Sequence, residues 1–81
     1  MEKFPILSAN QVALLRAEFS TGHILDEHFN LARNDNQRVY SVYKSVSEAE
    51  DFAQRILSER KNVEIIIYDS NQKVLNYLKP T

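Results

Sequence analysis

Ser8-Ala9-Asn10-Gln11-Val12-Ala13-Leu14-Leu15-Arg16-Ala17-Glu18-Phe19-Ser20-Thr21-Gly22 decides the fold, because it reads as the first of two helices. Ser8 followed by Gln11 has the form of a capping box, in which the hydroxyl takes an orphan amide and the glutamine reaches back. Val12, Leu15 and Phe19 then fall at helical spacing with Leu14 alongside, leaving Arg16 and Glu18 to face outward. Gly22 adopts a left-handed cap without strain, so the helix is expected to end there. The expected first helix covers about 9–20.

A second helix starts from Ser45 or Ser47, each with a glutamate three residues on (Glu48, Glu50). Ala49, Phe52, Ala53, Ile56 and Leu57 form one stripe over about 46–60, and Glu48, Glu50 and Asp51 make an acidic first turn. Strands are expected where β-branched and aromatic residues concentrate: about 38–44, 63–69 and 73–78, with a weaker polar one at about 28–33. Asp35-Asn36-Gln37-Arg38-Val39-Tyr40-Ser41-Val42-Tyr43 is echoed by Ser70-Asn71-Gln72-Lys73-Val74-Leu75-Asn76-Tyr77-Leu78, a polar turn feeding an alternating strand each time. Layout is therefore read as doubled, α-β-β-α-β-β.

The resulting expectation is a single α+β domain over residues 1–81, two layers deep. Four strands in order 1-2-3-4, with a parallel central pair, are covered on one face by both helices. A wholly antiparallel sheet is the alternative. The element order is similar to the half-domain of the LAGLIDADG homing endonucleases. The expected first helix ends Glu18-Phe19-Ser20-Thr21-Gly22-His23, without that family's apolar glycine-bearing helix and terminal catalytic acid. Nuclease activity is not carried over with the order of elements.

Composition narrows the classes further. The chain has 81 residues, 43% hydrophobic and 26% charged, with one glycine, two prolines and no cysteine. Disulfides, thiolate metal sites and cysteine nucleophiles are thereby excluded, and a reducing cytoplasm is the expected setting. No apolar run approaches the roughly 18 residues that span a bilayer, so no membrane association is expected. Ten basic against eleven acidic residues, with no more than two cations in a row, argue against nucleic acid as a partner.

Chemistry-bearing residues are sparse. His23, Asp26, Glu27 and His28 form the cluster with metal-ligand character, but the two histidines are five apart and are read as a solvated loop. Asp69-Ser70-Asn71 lacks the glycine and closing glutamate of a calcium loop and is read as a turn. Ser41, Ser45, Ser47, Ser58 and Ser70 lie in no nucleophile motif, and Gly22 alone cannot build a phosphate loop. No catalytic, cofactor or metal site is assigned.

Aromatic residues give the more informative set. Tyr40 with Val42, Ile66 with Tyr68, and Leu75 with Tyr77 each share a strand face. If helices cover one side of the sheet, an apolar face edged by tyrosine hydroxyls is left for a partner. Tyr40, Tyr68 and Tyr77, together with Glu48, Glu50 and Asp51, are the expected partner-binding residues. The expected function is non-enzymatic: a bacterial immunity- or inhibitor-type protein that masks a toxin or enzyme encoded nearby. Alternatives are a single-stranded nucleic-acid module stacking bases on sheet aromatics, and a homodimeric structural domain.

Overall fold

A computed structural model describes residues 1–80. It places six elements among them: β1 (Val12–Glu18), β2 (Ile24–Leu25), β3 (Tyr40–Tyr43), α1 (Val46–Glu59), β4 (Val63–Tyr68) and β5 (Val74–Leu78). The fold is α+β, with five strands in one antiparallel sheet and one helix, in place of the expected four strands and two helices.

The stretch expected to be the first helix is the central strand. Every residue from Val12 to Ala17 is buried, on both strand faces, which a helix lying on a sheet cannot achieve. The apparent capping box is a local turn: Ser8 N–H donates to Gln11 Oε1 at 2.8 Å, and Gln11 N–H donates to the Ser8 carbonyl at 3.0 Å. Gly22 does take a positive φ, +78°, but in the connection between β1 and β2, where its N–H donates to the Glu18 carbonyl at 2.7 Å.

β1 carries three partners. β4 pairs along one edge from Ala13 to Glu18, while β3 and β2 share the other, at Val12–Leu15 and Arg16–Ala17 respectively. β5 pairs with β4, giving the order β2-β1-β4-β5 with β3 beside β2 on the same side of β1. The expected order 1-2-3-4 with a parallel central pair is thus replaced. β3 and β4 do run parallel, since both oppose β1, but β1 lies between them and α1 makes the crossover.

The expected strand at 28–33 is a loop. Asp26 organises it, accepting from the N–H groups of His28 (2.8 Å) and Asn30 (2.9 Å), and one isolated bridge joins Leu25 to Leu31. With neither a first helix nor a first hairpin, the doubled layout and the likeness in element order to the homing-endonuclease half-domain both fall. Asp69 closes the β4–β5 hairpin, its carboxylate accepting from Asn71 and Lys73 N–H, with Gln72 at φ +64°.

α1 is capped by Ser45, whose hydroxyl accepts from Glu48 N–H at 3.2 Å. Fully buried Ala49 and Ala53 let the helix approach closely over Leu14, Ile65 and Ile67. Val46, Ile56 and Leu57 complete the contact, and Phe52 stays on the flank, stacked on Tyr43 at 5.0 Å. Extents of 32 × 29 × 18 Å are those of a two-layer slab.

Candidate partner-binding face

Register decides which side chains share a face. Leu14, Arg16, Ser41, Tyr43, Ile65, Ile67, Asn76 and Leu78 lie on the side of α1, because cross-strand partners project together. Ala13, Leu15 and Ala17 of β1 point the other way, together with Tyr40, Val42, Glu64, Ile66, Tyr68 and Tyr77. Among the described residues no helix covers this second face. The three tyrosines expected to meet a partner are therefore brought onto one surface, from three different strands.

That surface is partly roofed by the segment before β1. Phe4 stands edge-on to Tyr40 (centroids 5.2 Å apart, 72° between planes) and to Tyr68 (5.8 Å, 86°), each favourable for rings with a negative face and positive edge. Pro5 follows, which restricts Phe4 to extended conformations. Glu2 reaches the β3 side, its Oε1 accepting from the N–H groups of Val39 (3.0 Å) and Tyr40 (3.1 Å). Burial raises the Tyr40 phenol above its ordinary pKa, with Tyr68 and Glu2 adding to the effect.

The rest of the face is open. Val42, Val74 (opposite Tyr68) and Tyr77 are each more than 40% exposed, and Ile6 on the roofing segment is fully exposed. Tyr77 donates its hydroxyl to Glu64 Oε2, and that bond raises the phenol's pKa. At the outer edge of β5, Tyr77 N–H points away from β4 and is taken by Asn76 Oδ1 at 2.9 Å. Asn76 Nδ2 donates in turn to Glu50 Oε2 at 2.7 Å. A side chain that occupies an outward edge amide discourages strand-on-strand association there.

The other expected partner residues, Glu48, Glu50 and Asp51, belong to α1 and therefore to the opposite layer. One flat partner surface cannot meet them and the tyrosines together.

A polar network on the β1–β2–loop side was not legible as such. Arg16, expected to face outward, is 3% exposed and, among the described residues, forms no ion pair with a carboxylate within 4 Å. Its guanidinium donates to the carbonyls of Asp26 (3.1 Å) and Val39 (3.0 Å) and to Ser41 Oγ (2.8 Å). Burial lowers its pKa, opposed by Tyr43, Glu27, Asp26 and Glu2. Asp26, 5% exposed, accepts from Gln37 Nε2 at 2.8 Å as well as from the two loop amides. Those hydrogen bonds, led by Gln37, depress its pKa. Asp26 is thus committed within the loop, and among the described residues no group of three or more histidine, aspartate or glutamate side chains converges as metal ligands.

The same loop bounds an open concavity of about 600 Å³ lined by Phe29, Asn30, Leu31, Arg33, Asn34 and Gln37. Phe29 holds φ +65° beneath the Arg60 guanidinium, 3.7 Å from its ring centroid. Gln37 is fully engaged there, its Oε1 accepting from Arg33 and Asn34 N–H and its Nε2 donating to Asp26 and Leu31.

Comparison of the chain with protein families, with curated proteins and with solved structures finds no match. Among the described residues no helix is long and apolar enough to cross a membrane.

Proposed function

We propose that the protein is a small, non-enzymatic binding domain that masks a protein partner through the helix-free face of its sheet. Its most concrete form is a bacterial immunity- or inhibitor-type protein acting in the cytoplasm on a toxin or enzyme encoded nearby. One observation carries this reading: Val42, Val74 and Tyr77 stay exposed on a face that also holds Tyr40, Ile66 and Tyr68, with Glu64 as its one charged side chain from the paired strands. Apolar and tyrosine-rich surfaces of this kind are enriched at protein interfaces. The slab's two long extents, 32 and 29 Å, accommodate the ~800 Å² per partner of a standard interface.

Tyr40, Tyr68 and Tyr77 carry the contact in this reading, and Glu48, Glu50 and Asp51 are left to the far side. Association of two copies through the same face is the second reading, supported by the same exposed residues. Stacking of single-stranded nucleic acid on Tyr40 and Tyr68 competes with the Phe4 ring already between them.

The test compares immobilised wild-type chain with a Val74→Asp/Tyr77→Ala variant for retention of proteins from the source cells, followed by reconstitution with the purified retained protein. A partner that binds wild type and loses at least tenfold affinity for the variant supports the reading. Equal binding to both, or no retention by a monomeric wild-type chain, contradicts it. Sizing of the wild-type chain separates the homodimer.

A further inference from the structure

Residues 2–5 lie on the helix-free face as a ligand would lie on a receptor. Glu2 places one carboxylate oxygen on two neighbouring backbone donors, Val39 and Tyr40 N–H, at 3.0 and 3.1 Å. Tyr40 N–H belongs to the outward side of β3: among the described residues β3 pairs with β1 alone. Two positions further, Phe4 inserts its ring between Tyr40 and Tyr68. Anion on a pair of edge amides, any residue, then an aromatic ring between two phenols: the body of the protein reads an extended acidic-x-aromatic sequence.

The holding points are few. Lys3 between them is exposed, as are Ile6, Ser8, Ala9 and Asn10 beyond. The Met1 ammonium also donates to Asp35 Oδ1 at 2.5 Å, but that pair is solvent-exposed, and exposed ion pairs hold weakly. A segment fixed by one exposed ion pair, one carboxylate and one ring, and joined to β1 through an exposed turn, can leave without disturbing the core on the α1 side, where Leu14, Ile65 and Ile67 are buried.

We propose that this cleft is a peptide-binding site for an extended acidic-x-aromatic segment of the partner protein, occupied in the free chain by residues 2–5 as a displaceable internal ligand. The site rests on the protein-binding reading above, and supplies its recognition chemistry. Charge selects the first residue, because an ionised acceptor binds amide donors more strongly than a neutral one. Ring geometry selects the third, and a proline after it favours the extended form. Competition by the internal segment lowers the cleft's apparent affinity in proportion to the fraction of time it is closed.

The experiment titrates the full chain, wild type and Phe4→Ala, with the acetylated peptide Glu-Lys-Phe-Pro-Ile-Leu, following backbone amide resonances. Binding is expected to shift Val39, Tyr40 and Tyr68, with the variant binding about tenfold more tightly than wild type because its own segment no longer competes. Glutamine for glutamate in the peptide is expected to weaken binding about fivefold, and alanine for phenylalanine to remove it. If Phe4→Ala does not fold, Glu2→Gln loosens the anion contact while keeping the ring, and the same tighter binding is expected.

Equal affinity for wild type and variant, shifts confined to another surface, or no binding by a folded variant would each overturn the proposal. So would a wild-type dimer that Phe4→Ala converts to monomer, which would assign the cleft to exchange of the segment between two copies. Failure of the broader reading looks different: the peptide binds as described but no partner is retained. A retained partner that the peptide does not displace removes the cleft and leaves the reading.

Discussion

Arg16 shows how one side chain can reverse a local reading. On a helix an arginine after Leu14-Leu15 belongs to the solvent side; in the central strand it is enclosed, and its charge is met by two carbonyls and a hydroxyl. Those acceptors come from the start of the loop and from the approach to β3, so Arg16 ties both to β1. Replacing it with methionine keeps the volume but strands two buried carbonyls, at about 1–3 kcal/mol each. Arg16→Met is therefore expected to lower unfolding free energy in denaturant titration by about 2–6 kcal/mol. Arg16→Lys is expected to recover only part, because an ammonium cannot span the fork of contacts. Asp26 supplies a pH signature. Its folded pKa is depressed, so its contribution is present above the unfolded value of about 3.9 and is lost as pH falls through the lower folded one. Thermal melts are expected to show stability declining below about pH 4, with a shallower decline in Asp26→Asn. In that variant the new amide also opposes Gln37 Nε2, lowering stability at neutral pH. An aspartate before His28 and Asn30 was visible in the sequence, but its burial was not, since that depends on Gln37 folding back from eleven residues away.

Among the elements, α1 and the β4–β5 hairpin were legible because their signals are local: a serine cap with an apolar stripe, and an aspartate-led turn between β-branched runs. β1 was not. A six-residue buried run that is apolar at every position but Arg16 also satisfies helical spacing, and periodicity alone cannot separate a buried strand from a helix. Turn residues on both sides, Ser8–Asn10 and Ser20–Gly22, were the available clue, and a glutamine hydrogen-bonded back to Ser8 imitated a helix start. Tertiary pairing on both edges settled the outcome. Leu14→Ala is expected to cost about 2–5 kcal/mol, as for a fully buried leucine, whereas Val74→Ala on the exposed edge is expected to stay within about 0.5 kcal/mol. Hydrogen exchange is expected to be slowest for Ala13 to Ala17 amides and fast for Leu75, which lies on the outer edge of the sheet.

At the scale of the whole molecule, a single strand creates both sides of the slab. β1 sends Leu14 and Arg16 toward α1 and sends Ala13, Leu15 and Ala17 toward the open face. Strand alternation made the within-strand pairs legible, Tyr40 with Val42 and Ile66 with Tyr68. That tyrosines of three strands share one face follows from the cross-strand register, which alternation does not fix. The roof over that face was not legible: Glu2 and Phe4 carry no periodic pattern, and only Pro5 marked the segment as extended. If 12–18 were helical, neither the open face nor the cleft under Phe4 would exist. Proton–proton distances in the labelled full chain test this most directly. Leu15 with Tyr40, Arg16 with Ile65 and Leu14 with Ile67 are non-hydrogen-bonded antiparallel pairs, with α-carbons about 4.5 Å apart. Strong cross-strand Hα–Hα contacts are predicted at all three pairs, together with ring contacts from Phe4 to Tyr40 and Tyr68. Sequential amide–amide contacts and contacts to the third residue on across Val12–Glu18, with no cross-strand pairs, would contradict the account.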